Sequence, residues 1–342
     1  MLKLSLSRTE ELFARINGER ALYLPLTAAG LTQFAAWTPG AKVQLNRLST
    51  VKSPKDFFFP NAEDIAAFKV QGSEIEIQDI RTEPEPFAVF GVRACDAQSL
   101  NLLDLIFLAD PVDTFYASKR DSGLIITTAC FEPEESCFCG AFDIDAMNPG
   151  GDVATWVVGD TLYWNALTEK GEALTETVKD LFEQTNDAAV KVEREKAQAI
   201  VDKLPFKDLS LKGLNGEALM ETFNSPEWAK LYPSCLACGT CTFVCPTCHC
   251  YDIQDFNTGG GIRRFKCWDS CMYSDFTLMA HGNSRNSQLE RFRQRYMHKL
   301  IYFPDNNDGA YACVGCGRCV QKCPISMNIV KVIRALGVEE DV

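Results

Sequence analysis

Histidine is scarce in this chain: His249, His281 and His298 are the only three, and they are scattered, so they suggest no metal site of their own. No apolar run approaches the length of a membrane span. Residues Met1–Glu11 carry neither an apolar stretch long enough for a signal peptide nor a twin arginine, so the expected location is the cytoplasm. No GxGxxG follows a strand-like run, which argues against a dinucleotide site. Gly259-Gly260-Gly261 lacks a following Lys-Ser or Lys-Thr and is not a P-loop. Positive charge is short as well, with 34 Lys and Arg against 46 Asp and Glu and a net charge of −12, which opposes nucleic acid as a partner.

Cysteine, by contrast, is abundant. There are 16 in 342 residues, spaced as for metal rather than for disulfides, which points to a reducing compartment. The run Cys235-Leu-Ala-Cys238-Gly-Thr-Cys241-Thr-Phe-Val-Cys245-Pro246 recurs as Cys313-Val-Gly-Cys316-Gly-Arg-Cys319-Val-Gln-Lys-Cys323-Pro324. This is the thiolate spacing of bacterial-type ferredoxins with two 4Fe–4S clusters, in which the fourth cysteine of each run serves the other cluster. One cluster is therefore expected on Cys235, Cys238, Cys241 and Cys323, the second on Cys313, Cys316, Cys319 and Cys245. Gly239 and Gly317 let the backbone pass close to the cube, and Pro246 and Pro324 fix the exit of the chain. A pair of zinc ribbons is the competing reading, but a ribbon uses two CxxC pairs, and here third and fourth in-line cysteines appear twice. Cys245-Pro-Thr-Cys248-His249 also fits the CxxCH haem pattern, yet Cys245 already belongs to the stronger motif.

The fold expected is α+β: an N-terminal α/β domain over residues 1–205, then a ferredoxin-like two-cluster domain over 206–342 with a long, mostly helical insert at 246–312. In the first domain, residues 5–17 read as a helix with Ser7 as N-cap. Phe87–Val92 and Gly123–Thr128 read as buried strands, Val153–Val158 with Thr161–Trp164 as a hairpin, and 170–203 as amphipathic helix. Met327–Leu336 reads as a closing helix with Gly337 as its cap.

Four cysteines lie in the first domain. Cys95 follows one strand and opens a helix, Cys130 follows another strand, and Cys137 and Cys139 sit in the next loop. Strand ends and a loop can converge on a cube, so these four are expected to bind a third 4Fe–4S cluster, with buried free thiols as the alternative. Cys248, Cys250, Cys267 and Cys271 fall in the insert. They read either as packing thiols or as ligands of a further cluster or zinc ion. Residues 260–300 are locally basic, with Arg263, Arg264, Lys266, Arg285, Arg291, Arg293, Arg295 and Lys299 against Asp269, Asp275 and Glu290. That stretch is either a solvated face, or a set in which Arg291, Arg293 and Arg295 offset cluster charge or hold an acidic partner.

Together these motifs resemble a family. Val92-Arg-Ala-Cys95-Asp96, Cys130 with Cys137-Phe-Cys139, Cys245-Pro-Thr-Cys248-His-Cys250, Trp268-Asp-Ser-Cys271, Arg291-Phe-Arg-Gln-Arg-Tyr-Met-His298-Lys299 and the second ferredoxin run are similar to the iron–sulfur subunit found as the beta subunit of sulfhydrogenases and, in a related form, in anaerobic sulfite reductase. The likeness spans about residues 87–325, and Cys267 departs from its pattern. It implies an electron-transfer chain seated between a flavin subunit that oxidises NAD(P)H, which would carry FAD and NAD(P), and a terminal catalytic subunit: a hydrogenase, a sulfite reductase or a heterodisulfide-reductase-type complex. The resemblance also favours the third cluster. On this reading no residue of the chain acts as acid, base or nucleophile. The alternative is a catalytic reductase that binds substrate at an open iron site on the N-terminal cluster, one with a non-cysteine ligand such as Asp96 or with only three thiolates. A redox sensor would need a signalling module, and none is visible.

Overall fold

The computed structural model describes residues 1–46 and 50–337, so the last five residues of the expected C-terminal domain lie outside it. In chain order the strands are β1 (Leu2–Ser5), β2 (Ala21–Ala28), β3 (Leu31–Ala36), β4 (Ala62–Gln71), β5 (Glu74–Asp79), β6 (Phe87–Val92), β7 (Gly123–Thr128), β8 (Val153–Val158), β9 (Thr161–Ala166), β10 (Glu183–Gln184), β11 (Tyr251–Asn257), β12 (Ile262–Trp268), β13 (Leu278–Met279) and β14 (Gly282–Asn283). The chain is α+β.

Eight strands form one sheet in the order β10-β1-β9-β8-β7-β6-β2-β3. Its centre, β2, β6, β7 and β8, is parallel, and antiparallel strands flank it. Every residue of β6 and β7 is buried, as parallel strands covered on both faces require. One face carries Leu12, Ile16, Phe90 and Trp164; the other packs Val89 and Ile125 on Leu100 and Leu103 of the helix Ala94–Phe107. The hairpin read from the sequence is β8–β9, paired from Val153↔Ala166 to Val158↔Thr161. The first helix begins later than its sequence signals suggest. Ser5, not Ser7, supplies the capping oxygen, to a short 3-10 turn, and the α-helix runs Thr9–Glu19.

A second sheet orders as β11-β12-β4-β5, wholly antiparallel. It joins a hairpin from the N-terminal region to one from the insert, so a strand pairing crosses the boundary expected near residue 205. The insert opens with that hairpin and closes with the helix Gln288–Met297 and its continuation to Asn306. Ser287 and Glu290 start this helix with a reciprocal capping box. Beneath the ferredoxin runs a separate core gathers Trp228, Phe292, Tyr296, Ile301 and Ile333. The closing helix runs Ile329–Leu336 with Asn328 as its cap, and Gly337 ends it in an extended rather than a left-handed conformation.

Candidate iron–sulfur centres

The first ferredoxin run turns through two left-handed residues, Ala237 and Gly239, before the short helix Thr240–Phe243. Gly239 is needed there twice over. Its φ is +73°, and a Cβ would collide with the Tyr273 ring. The turn brings Cys235, Cys238 and Cys241 to one cavity, and Cys323 lines that cavity from the other run, with Met272, Tyr296 and Met327. Cys238 is exposed; the other three are partly covered.

The second run turns through Gly315 (φ +58°) and Gly317 (φ +76°) into the helix Arg318–Lys322. Cys313, Cys316 and Cys319 all feel the charge of Cys245, which the first run supplies. Burial pushes the Cys313 thiol up to about 12 and raises Cys316 and Cys319 too. Thiols so deeply buried ionise only where positive charge or metal takes up the charge. Cys323 thus lies with the first run's three cysteines, while Cys245 lies within electrostatic reach of the second run's three and of Cys241.

Buried cations surround this second set. The Lys55 ammonium donates to the carbonyls of Cys245 (3.0 Å) and Cys248 (2.8 Å) and lies 3.6 Å from the centre of the Trp268 ring. Its desolvation lowers its pKa to about 8. Lys299 donates to Thr247 Oγ1 (2.9 Å) and the Ala312 carbonyl (2.8 Å). Against the cost of burial, the charges of Cys245 and Cys248 hold Lys299 cationic. Arg295 donates once, to the Cys241 carbonyl at 3.0 Å, and its buried Nε and Nη1 have no partner. Its surroundings are Cys241, Cys248 and Cys319. Unpaired buried donors among thiols are costly alone, and anionic clusters with acceptor sulfurs would satisfy them.

The N-terminal four converge at the carboxyl ends of adjacent parallel strands, where α/β sheets open a crevice for ligands. Cys95 follows β6 and Cys130 follows β7. Arg93, at the end of β6, feels the charges of Cys130, Cys95 and Cys137, and its buried Nε also lacks a partner. Cys139, raised to about 12 by burial, also feels the charges of Cys137 and Cys130. This set abuts the second one. The Phe138 amide donates to the Gly315 carbonyl at 2.8 Å, and Cys95 feels the charges of Asp96, Cys316 and Cys139. The Asp96 carboxylate is held by Arg318 through two hydrogen bonds, which leaves it turned to a cation rather than free for iron.

Of the insert cysteines, the structure gathers three and separates one. Cys250 and Cys271 lie close enough to perturb each other's ionisation, as do Cys248 and Cys245. Cys267 sits apart beside Asp252 and Asp269 on an open groove. Among the described residues no three His, Cys, Asp or Glu side chains close on a point as one bare ion would need. The basic stretch does not act as one surface. Arg263 and Arg264 pair with Asp64 and Asp255, Arg291 and Arg293 bond carbonyls of Arg285 and Phe223, and Lys266, Arg295 and Lys299 are buried. His249 and His298, remote in sequence, meet edge to face at 5.5 Å between centroids. The sequence did not single out Lys55, which looks like an ordinary surface cation; Arg93 and Arg318 lay within recognised motifs without an assigned role.

A 4Fe-4S dicluster domain family matches residues 234–327. Over 333 residues, 94% of each chain, the protein is 31% identical to the sulfhydrogenase 2 subunit beta of Pyrococcus furiosus. No solved structure gives a significant match.

Proposed function

The chain belongs to the family of iron–sulfur subunits that includes the sulfhydrogenase beta subunit, and from that membership we propose that it relays electrons between a flavin subunit oxidising NAD(P)H and a terminal catalytic subunit of a hetero-oligomeric complex. At the coarser level it is an iron–sulfur electron-transfer subunit carrying 4Fe–4S clusters. When bound, each cluster takes up and gives back one electron. In this reading Cys235, Cys238, Cys241 and Cys323 hold one cluster, Cys313, Cys316, Cys319 and Cys245 the second, and Cys95, Cys130, Cys137 and Cys139 a third. FAD and NAD(P) sit on a partner, and the complex works in the cytoplasm; no helix among the described residues is long and apolar enough to cross a membrane.

The carrying observation is contiguity. Cys95, Cys139 and Cys316 pack in one cluster, the Phe138 amide meets the Gly315 carbonyl, and Cys323 of the second run lines the cavity of the first, which supports a relay along the three thiol sets. The protein's own residues supply position and charge: Arg93, Arg295 and Lys299 offset thiolates, and the glycine turns hold the loops at contact distance. The relative's name supports a hydrogenase as the terminal component; a sulfite reductase or heterodisulfide-reductase-type partner is the other form of the same reading.

Anaerobic purification followed by iron and sulfide quantification and EPR tests this. About twelve irons per chain are expected, about eight in Cys95→Ser, and no change in Cys267→Ser. Zinc in place of iron would overturn the reading, as would a chain that copurifies with no partner and oxidises NAD(P)H by itself.

A further inference from the structure

Among the described residues, which include all sixteen cysteines, only Cys238 is an exposed thiol. Electron transfer between proteins weakens steeply with distance, so a relay needs one site near its surface. The surroundings of Cys238 are apolar and open. Leu236 is 62% exposed, Leu278 61%, Met279 63% and Tyr273 38%. Ala237 and Met272 line both the first thiol cavity, where Leu236 lies, and a groove of about 780 Å³ lined by Tyr273 and Leu278, with Met279 next to Leu278 in the chain. The Tyr273 hydroxyl donates to the Cys238 carbonyl at 3.3 Å, which fixes the ring beside the thiol loop.

The same groove is lined by three carboxylates against one cation, Arg291, whose guanidinium bonds the Arg285 carbonyl. Asp252, Asp269 and Asp275 line it, and among the described residues none of the three has a salt-bridge partner. An apolar centre with unpaired carboxylates beside it matches an interface whose partner presents apolar side chains within a Lys/Arg rim.

We propose that the face built from Leu236, Tyr273, Leu278 and Met279 around Cys238 docks a different protein of the complex, one that carries its redox cofactor close to an apolar, basic-rimmed surface. This rests on the relay reading and adds to it the place on this chain where electrons cross to a partner. The opposite edge of the second sheet also shows large apolar side chains, Ile75 and Ile77, but they line neither the first thiol cavity nor the groove, so that edge serves as the internal comparison.

The test uses the full chain in the complex purified from its native cells. A photo-crosslinking amino acid at Leu278, read by mass spectrometry, is expected to attach to a protein that itself binds flavin, iron–sulfur or another redox cofactor. The same group at Ile77 is expected to attach to none. Leu278→Asp combined with Met279→Glu should weaken binding of that partner about tenfold or more, and Ile77→Glu should leave it unchanged. Iron content and EPR spectra of the chain should be the same in all variants, which shows that the fold and centres survive. Asp269→Lys with Asp275→Lys should weaken binding further and blunt its salt dependence. Crosslinks from Leu278 only to a second copy of this chain, or undiminished binding by the double variant, would overturn the docking face while leaving the relay standing. A wild-type chain without iron, or without any bound partner, would instead sink the relay itself.

Discussion

Arg318 grips Asp96 across 222 residues of sequence, through hydrogen bonds of 2.5 Å from Nη1 and 2.7 Å from Nη2. Both side chains are almost wholly buried. The remaining edge of the guanidinium bonds the Thr50 carbonyl at 3.1 Å and its hydroxyl at 2.9 Å. Asp96 opens the helix after β6, and Arg318 opens the helix after Cys316. The pair therefore clamps the parallel sheet to the second ferredoxin run, between two of the three thiol sets.

Asp96→Ala leaves a buried cation without its carboxylate. It should cost about 3–5 kcal/mol, measured by anaerobic denaturant unfolding, with Asp96→Asn costing less because it keeps part of the hydrogen bonding. Iron content should be unchanged in Asp96→Asn, since the carboxylate serves Arg318. Loss of four irons in that variant would mean Asp96 is a ligand.

Gly315 sits at φ +58°, and a methyl there would overlap the Phe138 carbonyl and the Cys139 nitrogen. Gly315→Ala adds a left-handed backbone cost of about 1–2 kcal/mol to a packing clash of about 1–3 kcal/mol. Gly30→Ala, with a similar φ of +77° but open space around it, should cost only about 1 kcal/mol. Equal losses in the two variants would mean the loop contact carries no weight.

Arg295 places a positive charge among Cys241, Cys248 and Cys319. Arg295→Gln should lower the reduction potential of the neighbouring centres. A unit charge several ångströms away at an effective dielectric near 20 gives a shift on the order of 50–100 mV. Arg293→Gln removes a charge that bonds the Phe223 carbonyl and stacks on the Phe223 ring, and should leave the potentials alone. Spectroscopic redox titration of both variants distinguishes charge from mere packing.

His298 is buried, then further opposed in its charged form by His249, Lys299 and Arg285, which together bring its pKa down to about 3. An unfolded histidine titrates near 6.5, so below that pH the unfolded chain takes up a proton that the folded one refuses. The stability is complete above pH 6.5 and drains away as pH falls toward 3. His298→Phe should remove about 2 kcal/mol of the loss between pH 6.5 and 5, read from unfolding free energies at the two values. An unchanged acid slope would refute the assignment.

The cluster-bearing runs were legible because each lies within one short stretch, where spacing alone sets geometry. Strands β6 and β7 were legible because uninterrupted apolar residues have few other uses. What stayed hidden joins distant residues. Nothing local in Asp96 or Arg318 announces their pairing, and nothing in Ala62–Gln71 announces that Ile262–Trp268 will lie beside it. The buried cations Lys55 and Lys299 were hidden for a related reason: a lysine reads as surface until the carbonyls and thiols around it are known. Cys267 shows the converse. Its closeness in sequence to Cys271 suggested a shared site, but it lies within β12 directly opposite Asp252 instead.

The sheet that joins β4 to β12 also sets a schedule for synthesis. Residues 62–79 leave the ribosome as a two-stranded ribbon whose β4 edge is still unpaired, and the partner strand of that edge is translated roughly 200 residues later. At ~5–20 residues per second that edge waits about 10–40 s. Nascent chains stalled between residues 80 and 260 should therefore be the ones that recruit chaperones or aggregate, however well the larger sheet has already closed.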